Sequence, residues 1–400
     1  MATMRPIIIV GSGMAGYSLA REFRKLNKEQ SLIMITTDDA SNYAKPTLSN
    51  ALVGNKAPDQ IALGDAEKMR TQLDMTILTE TWVKAIDAEQ HQIEIETSGQ
   101  ISTLDYEKLV LAVGANPIRL AIAGDGADDI FVVNNLNDYK AFRSHLDQRA
   151  EKRVLILGAG LIGCEFANDL KNTDHNVTVV DLAPRPLGRL LPEHTATVFQ
   201  ENLEQAGIQF ALGTTVDKVV KIKQQGADID YEVTLSNGQR FVVDVVLSAI
   251  GLQPNINLAK SSKIHTSRGI IANSLMETNQ PDIYAVGDCA EVQGTLLPYV
   301  MPIMQQARAL AKTLNGESTH VHYPAMPVAV KTPAAPLTVL PAPTDVEVNW
   351  ETEEFDDGML AKAIDQEGTL RGFVLLGATA GKQRLSLAKL VPDLIPAQSS

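Results

Sequence analysis

Two glycine-rich hexapeptides of one pattern, Gly11-Ser12-Gly13-Met14-Ala15-Gly16 and Gly158-Ala159-Gly160-Leu161-Ile162-Gly163, constrain the fold of this chain more than any other feature. Each follows a short apolar run, Ile7 to Val10 and Val154 to Leu157. Each opens a stretch with apolar residues at helical spacing: Ala15, Leu19, Ala20, Phe23 and Leu26 in the first, Phe166, Ala167 and Leu170 in the second. A further apolar run, Leu32 to Ile35 or Val177 to Val180, closes each unit. Strand, glycine turn, helix and strand in that order form the βαβ unit of a dinucleotide-binding fold. The first glycine permits the tight turn, the second lets a pyrophosphate approach the backbone, and the third lets helix and strand pack closely. The helix N-terminus adds amide donors and partial positive charge. Gly11, Gly13, Ala15 and Gly16 are therefore candidate contacts of one dinucleotide, and Gly158, Gly160 and Gly163 of another.

An acidic residue about 20 positions beyond such a loop is expected to hold a ribose hydroxyl. Asp38 lies at that distance from the first loop, with Asp39 beside it; the alternative reading of either one is a solvated loop carboxylate. Asp181 stands directly at the end of Val177 to Val180 in the second unit. A carboxylate there accepts from a 2′-hydroxyl and repels a 2′-phosphate, so the second site is expected to prefer NADH to NADPH. Arg185 and Arg189 follow closely and leave some NADPH use open.

With 400 residues the chain has length for two or three domains. Its formal charge of -13 argues against sequence-independent nucleic-acid binding, which needs lysine and arginine to neutralise phosphates. No apolar run reaches the roughly 18 residues of a membrane helix, and the start at Met1 to Val10 lacks a secretory signal, so no membrane insertion and a cytoplasmic location are expected. The two cysteines, Cys164 and Cys289, lie far apart in dissimilar contexts, which suggests neither a disulfide framework nor a metal site.

Between the units, Trp82 to Asp87, Gln92 to Glu96 and Ile101 to Asp105 read as a strand meander turning at Ser98-Gly99, and a similar strand-rich stretch, Val219 to Val246, turns at Asn237-Gly238. Each unit thus carries its own β insertion. Beyond the proline-rich stretch Pro327 to Pro343, apolar segments at Val346 to Trp350, Leu360 to Ile364 and Leu370 to Leu376 predict a small α+β domain, with a polar end at Pro396 to Ser400.

Three further motifs occur in order. Ala112-Val113-Gly114-Ala115-Asn116-Pro117 and Ala249-Ile250-Gly251-Leu252-Gln253-Pro254-Asn255 resemble the outward and return crossings between the two domains of the pyridine nucleotide disulfide oxidoreductase superfamily. Thr278 to Asp288, ending Tyr284-Ala285-Val286-Gly287-Asp288, resembles that family's second FAD motif, whose aspartate binds the ribityl chain. The resemblance covers essentially the whole chain. It implies an α/β fold of two Rossmann-like dinucleotide-binding domains, one for FAD and one for NADH, plus a small C-terminal α+β domain. The implied division is 1–114 and 250–326 for FAD, 115–249 for NAD, and 327–400 for the C-terminal domain. Ala112, Gly114, Gly251, Gly287 and Asp288 join the candidate cofactor contacts on the same ground.

Members of this family that reduce disulfides relay electrons through paired cysteines, and peroxide- and oxygen-reducing members use a single one; this chain has no sulfur in the corresponding segment, Tyr43-Ala44-Lys45-Pro46-Thr47-Leu48-Ser49-Asn50. That segment resembles the stretch lying along the FAD in reductases of small iron proteins, which makes Lys45 and Pro46 candidate FAD contacts. Within that branch, Tyr323 to Pro336, with Lys331 at its centre, and Tyr299 to Arg308 resemble rubredoxin-reducing members. The resemblance implies rubredoxin, an acidic one-electron carrier, as acceptor, and an oxygenase such as an alkane hydroxylase downstream. Ferredoxin-reducing relatives have a lysine where this chain has Asn50, paired to the glutamate matching Glu165; here Lys331 is the candidate partner, and Glu165 and Lys331 are the candidate catalytic residues. Lys45, Arg308 and Lys331 are expected to form a basic patch for the acceptor. A ferredoxin reductase and a non-enzymatic FAD- and NADH-responsive interaction protein are the alternatives, and monomer or homodimer is left open.

Overall fold

The structure, a computed structural model, describes residues 5–148, 151–223 and 229–397; the last three residues of the polar end lie outside the described residues. Two parallel five-stranded sheets follow one plan. In the first, Ile7–Val10 lies between Leu32–Ile35 and Lys108–Leu111, with Thr76–Leu78 and Ile283–Ala285 outermost. In the second, Arg153–Leu157 lies between Asn176–Asp181 and Val245–Ser248, with Gln209–Leu212 and Phe131–Val132 outermost. The central strands are buried on both faces, which explains their unbroken apolar runs. Each buried Ile, Leu or Val side chain there contributes about 1.5–3 kcal/mol relative to exposure.

The two glycine loops open the helices Met14–Leu26 and Leu161–Lys171. The first helix buries Ala15, Leu19, Ala20 and Phe23 against the sheet, while Leu26, at its last turn, stands 48% exposed. Each unit also carries a three-stranded antiparallel insertion: Thr81–Asp87, Gln92–Thr97 and Gln100–Asp105 in one, Val216–Lys223, Ile229–Leu235 and Arg240–Val243 in the other. Ser98-Gly99 and Gly238 turn with positive φ, as the turn residues predict. The two interdomain crossings pair with each other, Ala115–Pro117 running antiparallel to Leu252–Pro254.

The C-terminal sheet is antiparallel, in the spatial order Val328–Val330, Leu337–Leu340, Leu370–Leu376, Gly358–Asp365, Val348–Phe355. After it the chain turns back: Tyr323 and Ile395 form a bridge, and Ile395 enters the core of the first unit. No helix among the described residues is long and apolar enough to cross a membrane, and none of their side chains cluster as a metal site.

Candidate active site

The geometry of the glycine loops separates what the protein needs from what a ligand needs. Gly11 has φ +115°, and a Cβ there would sit 2.2 Å from the Ala112 carbonyl oxygen; a Cβ on Gly16 would sit 2.0 Å from that of Gly11. Gly158 and Gly163 repeat this, against the carbonyls of Ala249 at 2.5 Å and Gly158 at 1.8 Å. Internal packing therefore demands these four glycines. Around Gly13 and Gly160 a Cβ would meet nothing within 4 Å. Both are helix N-caps with no side-chain cap and no acidic residue in the first turn, so the amides at two helix starts are left facing open space. Uncapped amides beside a side-chain-free position fit a pyrophosphate.

The carboxylates behind the loops touch them at equivalent positions. Asp38 Oδ1 accepts from the Ser12 hydroxyl at 3.0 Å, from Thr36 at 2.7 Å and from the Ala40 amide at 3.0 Å. Asp181 accepts from the Ala159 amide at 2.6 Å and the Ala183 amide at 2.7 Å. Ser12 and Ala159 occupy the same place in the two hexapeptides, so each carboxylate is fixed at its own loop, where a ribose would follow a pyrophosphate. Asp181→Ala is accordingly expected to weaken NADH binding and to narrow the preference over NADPH by tenfold or more, taking about 1.5–3 kcal/mol for a charge-assisted hydrogen bond. Comparing kcat/KM for the two nucleotides in both proteins checks this; a wild-type protein that already favours NADPH would contradict it.

Gly287 packs against the start of the first helix so tightly that a Cβ would lie 2.6 Å from that of Ala15. Its amide donates to Gln306 Oε1 at 2.6 Å, and Gln306 donates to the Tyr323 hydroxyl at 2.6 Å, which fixes the strand end carrying Asp288. Asp288 and Lys45, both partly buried, interact electrostatically without closing to an ion pair. Burial raises the Asp288 pKa and the Lys45 ammonium lowers it, with no protein hydrogen bond among the causes. Burial lowers that of Lys45, opposed by Asp288 and Asp138. An acceptor-only carboxylate with no donor among the described residues fits a polyhydroxyl chain such as ribityl. Gly114 and Gly251 flank this region at the crossings with φ +65° and +116°, conformations that favour glycine.

Two other parts of the chain converge on the second loop helix. Glu165, 5% exposed, accepts from Lys331 Nζ at 2.5 Å, from the Lys331 amide at 3.0 Å and from Ser49 Oγ at 2.6 Å. Lys331 Nζ also donates to the Pro46 carbonyl at 2.6 Å and to Ser49 Oγ at 2.8 Å. Three and four residues further along the same helix, Asn168 accepts from the Ala334 amide, and Asp169 accepts from the amides of Leu52 and Val53. Burial raises the Asp169 pKa, opposed first by those two amides. Ser49, Asn168 and Asp169 were missed as site residues. For the last two the signal was available: Glu165, Asn168 and Asp169 share one face at i, i+3 and i+4 of a helix whose residues Gly163 to Leu170 are all buried.

The expected docking patch is corrected by this geometry. All three Nζ protons of Lys331 have partners, one of them a carboxylate, so its charge is neutralised inside the junction. Lys45 is half-buried and donates to Asn134 Oδ1 at 2.6 Å. Only Arg308 of the three is exposed. The same pairing with Glu165 that the resemblance implies removes Lys331 from the patch, since one ammonium cannot both neutralise a buried carboxylate and attract a distant one.

Cys164 and Cys289 are free and fully buried in different cores. Burial pushes the Cys289 thiol up to about 11 and that of Cys164 higher still, so neither supplies a thiolate near neutral pH. A Cys164→Ala, Cys289→Ala double variant is expected to keep its flavin and at least about half of its turnover, with a stability loss of roughly 1–2 kcal/mol for two small cavities. A collapse of turnover with flavin retained would reveal a sulfur relay.

Comparison with known proteins extends the same picture. Residues 5–312 match the family model described as pyridine nucleotide-disulphide oxidoreductase, and residues 320–391 match one described as rubredoxin binding C-terminal domain. The chain is 74% identical to the rubredoxin-NAD(+) reductase of Acinetobacter baylyi, covering 99% of this chain and 100% of that one. It is 43% identical to the protein of the same name from Alcanivorax borkumensis, covering 98% and 100%. Among solved structures it is similar to the putidaredoxin reductase in a covalent complex with putidaredoxin, with a TM-score of 0.85 and 23% identity, covering 97% and 94% of the two chains, a likeness of fold. With two dinucleotide cradles on one repeated plan and a model match across most of its length, the chain is an oxidoreductase of the pyridine nucleotide-disulphide oxidoreductase family.

Proposed function

We propose that this chain is a cytoplasmic reductase that passes electrons from NADH through FAD to rubredoxin, and so serves an oxygenase such as an alkane hydroxylase. The observation that carries this reading is the sulfur-free junction: where both cradles and the C-terminal domain meet, the chain places Glu165, Ser49 and Lys331 and no thiol. The 74% identity to a rubredoxin-NAD(+) reductase and the match of residues 320–391 to a rubredoxin-binding model support the acceptor. In this reading residues 1–114 and 250–326 form the FAD domain, 115–249 the NAD domain and 327–400 the C-terminal domain, whose end returns to the first core at Ile395.

FAD, when bound, would take two electrons as one hydride and give them up singly, the conversion a one-iron acceptor needs. The protein's residues position and insulate. The amides beginning at Gly13 and Ala15, next to Gly11 and Gly16, hold the pyrophosphate of FAD, with Asp38 at its ribose. Asp288, with Gly287, Ala112 and Gly114 around it, accepts from the ribityl hydroxyls, and Lys45 and Pro46 lie along the flavin. Gly158, Gly160, Gly163 and Asp181 hold NADH, and Gly251 shapes the return crossing. Glu165 and Lys331 lock the nucleotide helix to the flavin segment, so that hydride donor and acceptor meet in one geometry. No side chain has to move a proton in that step.

Anaerobic stopped-flow mixing of the NADH-reduced protein with oxidised rubredoxin, and separately with a ferredoxin, tests the reading. Faster reoxidation by rubredoxin is expected. A ferredoxin reduced much faster than any rubredoxin would assign the chain to the other branch.

A further inference from the structure

The C-terminal sheet has two faces with different neighbours. Leu337, Val339, Met359, Ala361, Val374 and Leu376 share a core with the NAD unit. On the other face, Leu360, Phe373 and Leu375 are covered by two short helices, Ala378–Gly381 and Arg384–Ala388, through Ala380 and Leu387. These helices are the outer layer of that face. Leu385 and Leu390 project from this segment 69% and 65% exposed, close together in sequence and without a covering element. Exposed leucines grouped in this way mark a contact surface more often than a random surface does.

Charge adds direction. From Gly368 to Pro392 the chain has four basic residues, Arg371, Lys382, Arg384 and Lys389, and no acidic one, although the whole protein stands at -13. Asp365 holds Arg371, but Lys382, Arg384 and Lys389 are exposed and make no ion pair among the described residues. The far edge strand of the same sheet is the reverse: Glu351, Glu353 and Glu354 are exposed along it, followed by Asp356 and Asp357. The domain is thus positive and apolar on one layer and negative at the edge furthest from Lys331 in strand order. A cavity of about 410 Å³ is lined both by Gly377, Ala378 and Gly381, where this layer begins, and by Lys331, Pro333 and Asn50 of the junction.

We propose that the outer side of the helices Ala378–Gly381 and Arg384–Ala388 is the docking surface for an acidic one-electron carrier. Lys382, Arg384 and Lys389 steer its approach, and Leu385 and Leu390 are buried on contact. The segment lies within the residues that match the rubredoxin-binding model, and it replaces Lys45 and Lys331 as the source of positive charge. The assignment rests on the acceptor reading above for the identity of the carrier, and on charge, exposure and the adjoining cavity for the place. Opposite charges act mainly on the rate of encounter, and the effect falls with salt.

The test uses the full-length flavoprotein reduced by NADH and mixed with oxidised rubredoxin at low and at physiological ionic strength. For Arg384→Glu/Lys389→Glu the second-order rate constant at low ionic strength is expected to fall more than tenfold, with the gap closing as salt is added. Leu385→Ser is expected to slow transfer at both ionic strengths. Flavin reduction by NADH, followed in the same samples, reports that each variant is folded, and Glu353→Lys on the acidic edge should transfer as the unaltered protein does. Unchanged transfer in the double reversal overturns the surface. So does a sedimentation result in which the unaltered protein is a dimer that Leu385→Ser dissociates, since the leucines then face a second copy. If the protein reduces a ferredoxin and no rubredoxin, the acceptor reading fails, while the same variants mixed with ferredoxin still decide the surface.

Discussion

Gly13→Leu is expected to yield a folded, colourless protein. A side chain at this position meets no protein atom within 4 Å, and the backbone there is extended at φ -67°, a conformation open to any residue. The substitution therefore costs the fold little. It does fill the space in front of an uncapped helix N-terminus, where the pyrophosphate of FAD would approach the amides. Hydrogen bonds to charged groups contribute about 1.5–3 kcal/mol each, so losing two lowers FAD affinity by roughly 10²–10⁴. Gly16→Ala gives the contrast, because its Cβ would lie 2.0 Å from the Gly11 carbonyl oxygen, and that variant should lose stability before it loses flavin. The flavin absorbance per chain, set against far-ultraviolet dichroism and a urea midpoint, separates the two outcomes. Stoichiometric FAD in a folded Gly13→Leu protein would show that the first loop is not the pyrophosphate site. The same substitution at Gly160 should leave the protein yellow and raise the KM for NADH.

The architecture was legible because its determinants are local. Glycines with fixed spacing, apolar runs of four or five residues and turn pairs such as Ser98-Gly99 act over a few positions, and the parallel sheets follow from them. Asp38 and Asp181 were legible for the same reason, since one follows closely on a strand and the other is the last residue of one. What sequence conveys poorly is contact between distant segments. Lys331 and Ser49 meet on Glu165 although they lie far apart in the chain, and only the resemblance, through the departure at Asn50, pointed to the pairing of Lys331 with Glu165. Asp169, which holds the amides of Leu52 and Val53, had no such pointer, and its place on a buried helix face was the sole clue. The docking surface went unread for a related reason. Lysine and arginine occur in most segments, and which ones stay unpaired is decided by whether a carboxylate arrives from elsewhere, as Glu165 does for Lys331 and none among the described residues does for Arg384.

Lys331→Met is expected to destabilise the protein and to slow electron entry into the flavin, and Glu165→Gln in the same chain should restore part of both. Removing one partner of a buried ion pair costs about 3–5 kcal/mol because the other charge is left uncompensated. The Lys331 side chain is 28% exposed while that of Glu165 is 6% exposed, so water reaches one end of the pair and the lower figure applies. Without the ammonium, Glu165 keeps the Ser49 hydroxyl and the Lys331 amide as donors, which still leaves a buried carboxylate one charge short. Glu165→Gln alone is milder, since the lysine retains Pro46, Ser49 and some water. The double variant buries no lone charge and should lie closer to the unaltered protein than the sum of the singles, a coupling of 1 kcal/mol or more of the kind found between contacting residues. The catalytic consequence follows from position. These two residues tie the helix that begins at the second glycine loop to the segment carrying Lys45, so a shift there displaces nicotinamide relative to flavin, and a displacement of about 1 Å costs roughly 10²-fold in rate. Urea unfolding measures the first effect, and the single-turnover rate of flavin reduction at saturating NADH measures the second. A purely structural pair would show coupling in stability and none in that rate. Equal stability of Lys331→Met and the unaltered protein would mean that the three segments are held together by Asn168 and Asp169 alone.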